Sequence, residues 1–219
     1  MSYKSQVQCA PVSLLRDVED TKYLSLSHHR RLREMTPVMS VDKKTFAQDI
    51  DRNKNLASQL LKQAARRISW VNTPVILAGD GVTQTRVRDE LMDFSTRLRI
   101  PIANTLMAKG SIPDSHPLFL GTINSPQTHS RYGFDWADLV ITVGCDAVEC
   151  APQYWNPDGD IPILHIDNSS AKLSHYYQPN LELIGNLSNL LANLSKLANR
   201  DGKQDSYFLE LCALHSDKP

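Results

Sequence analysis

The chain has 219 residues, with 24 Lys+Arg against 24 Asp+Glu and no formal net charge. Such a balance creates no global field to draw in nucleic acid or an anionic membrane surface, so neither is an expected partner. The length suits one domain with extensions or two small ones, enough to bury a sizeable core.

No apolar run is long enough to cross a bilayer, and the N-terminus lacks the apolar core of a signal peptide. The four cysteines, Cys9, Cys145, Cys150 and Cys212, form no Cys-x-x-Cys pair. Reduced thiols and a cytoplasmic location are therefore expected, and the Asn-x-Ser sequences at Asn168, Asn186 and Asn193 carry no meaning for glycosylation. The one basic cluster, His28-His29-Arg30-Arg31-Leu32-Arg33, has neither interleaved aromatics nor zinc-ligand spacing. It reads as a solvated linker.

Residues 20–48 are polar without a period, as in an inter-domain linker. From Asn53, Leu56, Leu60, Ala64 and Ile68 recur at helical spacing, and Ala57, Leu61 and Ala65 widen the stripe. Pro74–Ala78 is an apolar run too short for a helix, which ends abruptly at Gly79-Asp80-Gly81. That pattern predicts a strand and a glycine turn. Val87, Leu91, Phe94 and Leu98 then mark the core face of a helix, and Ile100–Ala103 reads as the second strand. Further strands are predicted at 139–143, 162–166 and 181–184, followed by a helix whose core face carries Leu187, Leu190, Leu191, Leu194 and Leu197. Residues 199–219 turn polar before a short amphipathic patch at Tyr207, Phe208, Leu211 and Leu214. Short apolar strands alternating with helices and long loops predict an α/β domain with a doubly wound parallel sheet covered on both faces.

The order of the pieces is more specific than any one of them. Pro74–Val82 is followed by Ile100–Gly121, Asp135–Gly144, Tyr154-Trp155-Asn156, Ile163–Asp167 and Leu181–Gly185. Across roughly residues 50–198 this series resembles the central domain of thiamine-diphosphate-dependent enzymes. Within that family it is most similar to acetolactate synthase large subunits carrying a Val-Gly-Tyr-Asp…Glu-Tyr…Trp-Asn segment. Here the segment reads Val143-Gly144-Cys145-Asp146…Glu149-Cys150…Trp155-Asn156, with cysteine twice where tyrosine is commoner.

The resemblance implies three regions. Residues 1–48 would be the end of a preceding domain plus a linker, and Ala10–Glu19 resembles that domain's closing strand, with Arg16 where proline is usual. Residues 49–198 would be the central domain, and 199–219 a linker towards a C-terminal domain. The full enzyme would decarboxylate pyruvate on thiamine diphosphate and pass the two-carbon unit to a second 2-oxo acid. Its catalytic glutamate, thiamine diphosphate and Mg²⁺ would lie in the flanking domains. No catalytic residue and no metal ligand is expected in this chain, which alone would be inactive. Its partners would be the flanking domains, in a homo-oligomer at full length.

In an open parallel sheet, ligands sit beyond the carboxyl ends of the strands. The resemblance places Gly79, Gly81, Thr105, Gly144, Asp146 and Asp167 around a nucleotide in those members that hold one. Gly79 and Gly81 would admit a diphosphate close to the backbone. Asp167 is open to two readings, as an acceptor for ribose hydroxyls or as an N-terminal cap for a helix from Ser169. FAD is disfavoured, because Cys145–Glu149 replaces the Arg-Phe-Asp-Asp-Arg segment of flavin-holding forms. A weaker adenine nucleotide stays open.

Gly79-Asp80-Gly81 also imitates the Gly-Asp-Gly with which thiamine-diphosphate enzymes hold Mg²⁺. That motif needs a later Asn-Asn pair, whereas Asn104 is followed by Thr105. No Gly-x-Ser-x-Gly elbow supplies a hydrolase nucleophile. His165 reads as a core or strand-end histidine, Lys109 as an exposed loop lysine, and Trp136 and Trp155 as packing anchors. Asp158-Gly159-Asp160 reads as a turn. Two other function classes remain: a stand-alone FAD- or NAD-type nucleotide-binding module, and a non-catalytic interaction protein derived by truncation.

Overall fold

A computed structural model describes residues 43–123, 133–146, 148 and 152–202, with the backbone alone for 43–54. The expected strand at 10–19, most of the linker, the patch from Tyr207 to Leu214, and Cys9, Cys150 and Cys212 lie outside the described residues.

Six strands form one parallel sheet: β1 (Pro74–Ala78), β2 (Ile102–Thr105), β3 (Phe119–Ile123), β4 (Leu139–Val143), β5 (Ile163–Asp167) and β6 (Leu181–Ile184). Their spatial order is β3-β2-β1-β4-β5-β6, and every pairing is parallel. The sheet is therefore doubly wound. Chain order runs outward from β1 to one edge and then returns to continue from β4 to the other, so the β1/β4 junction is the topological switch point.

Side chains of the two central strands alternate between two cores. Ile76, Ala78, Leu139, Ile141 and Val143 face one, and Val75, Leu77 and Val140 the other. All of these are buried, which is why the central strands read as unbroken apolar runs rather than alternating ones. The first core is covered by α1 (Lys43–Trp70), α3 (Arg88–Leu98) and α5 (Leu187–Leu197). Ala57, Leu60, Leu61, Ala64, Ala65 and Ile68 of α1 are all buried there. Each fully buried leucine or isoleucine contributes about 1.5–3 kcal/mol. The second core is covered by a 3₁₀ turn at Phe134–Trp136, the short helix α4 (Pro152–Trp155) and the chain around Tyr177. A further short helix, α2 (Asp80–Gln84), follows β1.

Several expectations shift. The helix expected from Asn53 begins at Lys43, inside the expected linker. The second strand runs over Ile102–Thr105 rather than 100–103, because Ile100 closes α3 instead. Arg99 is left-handed at φ +49, its amide donates to the Thr96 carbonyl (3.2 Å), and the Ile100 amide donates to the Ser95 carbonyl (2.9 Å). This is a Schellman closure, with arginine where glycine is usual. The fourth expected strand is also one residue later, at 163–167.

The edge strand β3 has no counterpart among the predicted strands. Its burial is broken, it contains Gly121 at φ +124, and its register with β2 slips between Ile102 and Ala103. Leu56, midway along α1, and Leu197, the last residue of α5, both predicted on core faces, lie 36 % and 50 % exposed. Trp155 is a packing anchor, fully buried and 5.7 Å from the Phe134 ring, but Trp136 is 52 % exposed and anchors nothing of that kind.

Two polar devices tie the end of the sheet opposite the carboxyl ends of the strands. The Arg200 guanidinium donates to the carbonyls of Ile68 (2.9 Å), Val71 (2.6 Å) and Asn72 (3.2 Å), closing the C-terminus of α1. Asp138, entering β4, accepts from the amides of Asn72 (2.6 Å) and Thr73 (2.9 Å). Together they set where β1 begins relative to α1 and β4.

Candidate functional site

At the switch point the two glycine turns pack backbone against backbone. The Gly79 amide donates to the Val143 carbonyl and the Gly81 amide to the Gly144 carbonyl, both at 2.9 Å. A Cβ on Gly79 would stand 2.3 Å from the Gly144 oxygen, and one on Gly81 2.7 Å from the Gly144 Cα. Gly144 itself sits at φ +60, where a Cβ would meet Gly81 Cα and Val82 N at 2.8 Å. The three glycines are thus required by one another. The Cys145 thiol is buried beneath them, 3.4 Å from the Leu77 carbonyl that accepts its weak hydrogen bond.

Beside this junction lies a cleft of about 220 Å³. Gly81, Gly144, Asp146 and Asp167 line it, as do Asp80, Gln84, His165 and the loop Asn168–Lys172. Four of the six expected nucleotide-binding residues therefore come together. Gly79 is part of the junction but does not line the cleft. Thr105, at the end of β2, is buried outside the cleft, its hydroxyl accepting from the Ala108 amide at 3.3 Å.

The floor is a buried polar network. The Tyr177 hydroxyl lies 2.7 Å from Thr142 Oγ1 and 2.8 Å from His165 Nδ1. His165 Nε2 donates to the Ser169 carbonyl (3.1 Å), so Nδ1 is assigned as the acceptor from Tyr177. His165 is thus a core histidine, 2 % exposed, that holds the loop after β5 in place. Glu182, 1 % exposed on β6, supports the same loop by accepting from the Ala171 amide at 2.8 Å.

Across the cleft mouth, Lys172 Nζ meets Asp146 Oδ2 at 2.7 Å. This bond and the Val148 amide hold the Asp146 carboxyl below the usual carboxylate range. Burial moves Asp167 the other way. It pushes the carboxyl up, against the lowering bonds from Asn168 and Ser169, and the nearby Asp146 charge adds to the rise. The Asn168 amide donates to Asp167 Oδ1 at 2.5 Å. No helix follows at Ser169, so the helix-cap reading of Asp167 is corrected: the carboxylate caps a loop.

The charges lining the cleft are three carboxylates, Asp80, Asp146 and Asp167, against one ammonium, Lys172. That donor set does not fit the diphosphate of a flavin dinucleotide, since an anion would meet an excess of negative charge and glycine amides already bonded within the fold. It fits a neutral group rich in hydroxyl donors.

Asp80 accepts from Gln84 Nε2, and Asn104 is fully buried with Nδ2 donating to the Ala108 carbonyl (3.0 Å). Among the described residues, no group of three or more His, Cys, Asp or Glu could hold a metal ion. Lys172 and its neighbours Ser170 and Ala171 in the β5–β6 loop escaped the sequence reading as cleft residues, with Ser169 expected to start a helix. The signal was available: any loop leaving the carboxyl end of a strand beside the switch point opens onto the ligand side.

A parallel sheet ordered in this way, with a glycine junction and a cleft at its switch point, defines a nucleotide-fold α/β domain. The family model for the thiamine pyrophosphate enzyme central domain matches residues 61–194, and the chain belongs to that family. It is 33 % identical over 138 residues to a "Probable acetolactate synthase large subunit" of Methanocaldococcus jannaschii, covering 61 % of this chain and 23 % of the relative. It is 30 % identical over 191 residues to YdaP of Bacillus subtilis, named as thiamine pyrophosphate-containing, covering 81 % of this chain and 32 % of that protein. A solved structure described as a thiamin diphosphate-dependent enzyme of Mycobacterium smegmatis shares the fold, with a TM-score of 0.52 at 23 % identity over 67 % of this chain and 29 % of that one. The chain thus spans between about a quarter and a third of these relatives. No helix among the described residues is long and apolar enough to cross a membrane.

Proposed function

We propose that the chain is the central, scaffolding domain of an acetolactate-synthase-like enzyme. That enzyme decarboxylates pyruvate and transfers the two-carbon unit to a second 2-oxo acid, in the cytoplasm, as part of branched-chain amino-acid biosynthesis. Thiamine diphosphate and Mg²⁺ are held by flanking domains, which are the chain's partners within a homo-oligomer. Thiamine diphosphate supplies the carbanion-stabilising chemistry when bound. The central domain runs over 49–198, with 1–48 leading from the preceding domain and 199–219 towards the next.

The match over residues 61–194 carries this reading. The sheet's part is to hold the two cofactor domains at a fixed separation. In the cleft, Asp146 and Asp167 accept hydroxyl hydrogen bonds of a ribose, beside Gly81 and Gly144 and above the junction with Gly79, while Thr105 shapes the neighbouring loop. The family match disfavours a stand-alone dinucleotide module.

The test is acetolactate production from pyruvate with thiamine diphosphate and Mg²⁺, by this chain alone and by a polypeptide that joins it to the flanking domains. Turnover only in the joined form is expected. Turnover by the chain alone would refute the scaffolding role.

A further inference from the structure

On the other side of α2 from the cleft lies a larger groove of about 540 Å³, between the start of α3 and the loop after β2. Val82 and Met92 give it apolar wall, and Ser111 lines it too. Three cations, Arg86, Arg88 and Lys109, stand around it with one carboxylate, Asp89. Among the described residues none of the three cations is ion-paired; the ion pair present is Lys172–Asp146.

Three further observations single out this place. Arg88 occupies the first position of the 11-residue helix α3, where the helix dipole disfavours a cation. The same helix end has no side-chain cap, since Val87 stands at the N-cap; its first-turn amides are donors in want of an acceptor. Independently, the Ser111 hydroxyl is buried without a hydrogen-bond partner, in a residue 8 % exposed. Unbonded buried hydroxyls are uncommon because each forfeits its hydration without replacement. Cations, amides and hydroxyl are all groups that an anion would pair with.

We propose that this groove binds a phosphate monoester with an apolar body. Three cations against one carboxylate leave a surplus of two positive charges, matching a phosphate dianion better than a single carboxylate. Arg86 and Arg88 offer planar forks suited to phosphate oxygens and Lys109 a point charge. The groove exceeds what a bare phosphate fills, and Val82 and Met92 receive the remainder. The inference is independent of the acetolactate reading, because it uses no residue of the cleft and no flanking domain.

Phenyl phosphate is the probe, titrated calorimetrically into the full chain at low salt, with inorganic phosphate and benzoate alongside. Saturable binding of phenyl phosphate is expected at least tenfold tighter than either, weakening as ionic strength rises. Arg88→Gln and Lys109→Gln, both exposed side chains, should each weaken it about fivefold to tenfold with the far-ultraviolet spectrum unchanged and the melting temperature not lowered. Asp146→Asn in the cleft should leave it unaltered. No saturable heat at millimolar phenyl phosphate, or binding indifferent to both charge-removing variants, would overturn the proposal. Equal affinity for inorganic phosphate would overturn the apolar part.

Discussion

Gly79→Ala tests whether the glycine junction is a packing device. Gly79 has φ −102, ordinary for any residue, so alanine there incurs no backbone penalty and only the steric cost remains. Its Cβ would lie 2.3 Å from the Gly144 oxygen and 2.6 Å from Cys145 Cα, both backbone atoms that no rotamer change can move aside. Relief requires the β1 and β4 turns to separate by more than half an ångström, stretching the Gly79–Val143 and Gly81–Gly144 bonds, both now 2.9 Å. Overpacking of this kind costs about 1–3 kcal/mol, and weakening the paired bonds adds about 1 kcal/mol. The sum is roughly 2–4 kcal/mol, a large share of a typical domain's stability. Gly110→Ala is the control. Gly110 has φ +86 and nothing within 4 Å of a built Cβ, so only the left-handed penalty of about 1–2 kcal/mol applies. Urea denaturation followed by circular dichroism reads both, with the slope checked for constancy. If Gly79→Ala is no more destabilising than Gly110→Ala, the junction is not close-packed and the argument fails.

Arg200→Met should cost about 2–3 kcal/mol in the same assay, because three carbonyls at the end of α1 lose a charged donor; a loss under half that would show that water replaces it freely. Tyr177→Phe removes the hydroxyl shared by Thr142 and His165 and should cost about 1–3 kcal/mol with the fold intact; an unchanged urea midpoint would contradict the network. Asp167→Asn should be more stable than the parent at pH 7. Burial raises this carboxyl in the folded state, so its contribution is fully present below the ordinary carboxylate value and lost as pH rises through the raised one. The advantage of the asparagine should vanish in acid, and urea midpoints showing the reverse trend would refute the assignment.

Much of this was already written in the chain. Ile76 and Val140 sit in apolar runs too short for helices and too long for chance, which states a buried parallel sheet. Leu60, Ala64 and Ile68 recur with the helical period because one face of α1 must meet that sheet. Gly79 and Gly81, just beyond the end of β1, mark the switch point where a cleft opens. Local pattern reaches that far because burial and backbone freedom are properties of single positions. It missed β3, whose partly buried edge position breaks the alternation, and it misplaced the start of β2, because Ile100 serves the helix cap at a distance of only a few residues.

The purpose of the glycines is different in kind. A sequence records that Cβ is missing but not what occupies its place, and only the pairing of β1 with β4 brings Gly144 against Gly79 and Gly81. The same holds for charge. Asp146 and Lys172 are far apart in the chain, and their ion pair exists because β4 and β5 are neighbours. Arg86 and Arg88 are near neighbours at the start of α3, but Lys109 joins them around one groove only because β1 and β2 lie side by side. Composition and period determine which residues are buried and which elements form; the electrostatics of a site depend on distances between elements, and those are set by the sheet order.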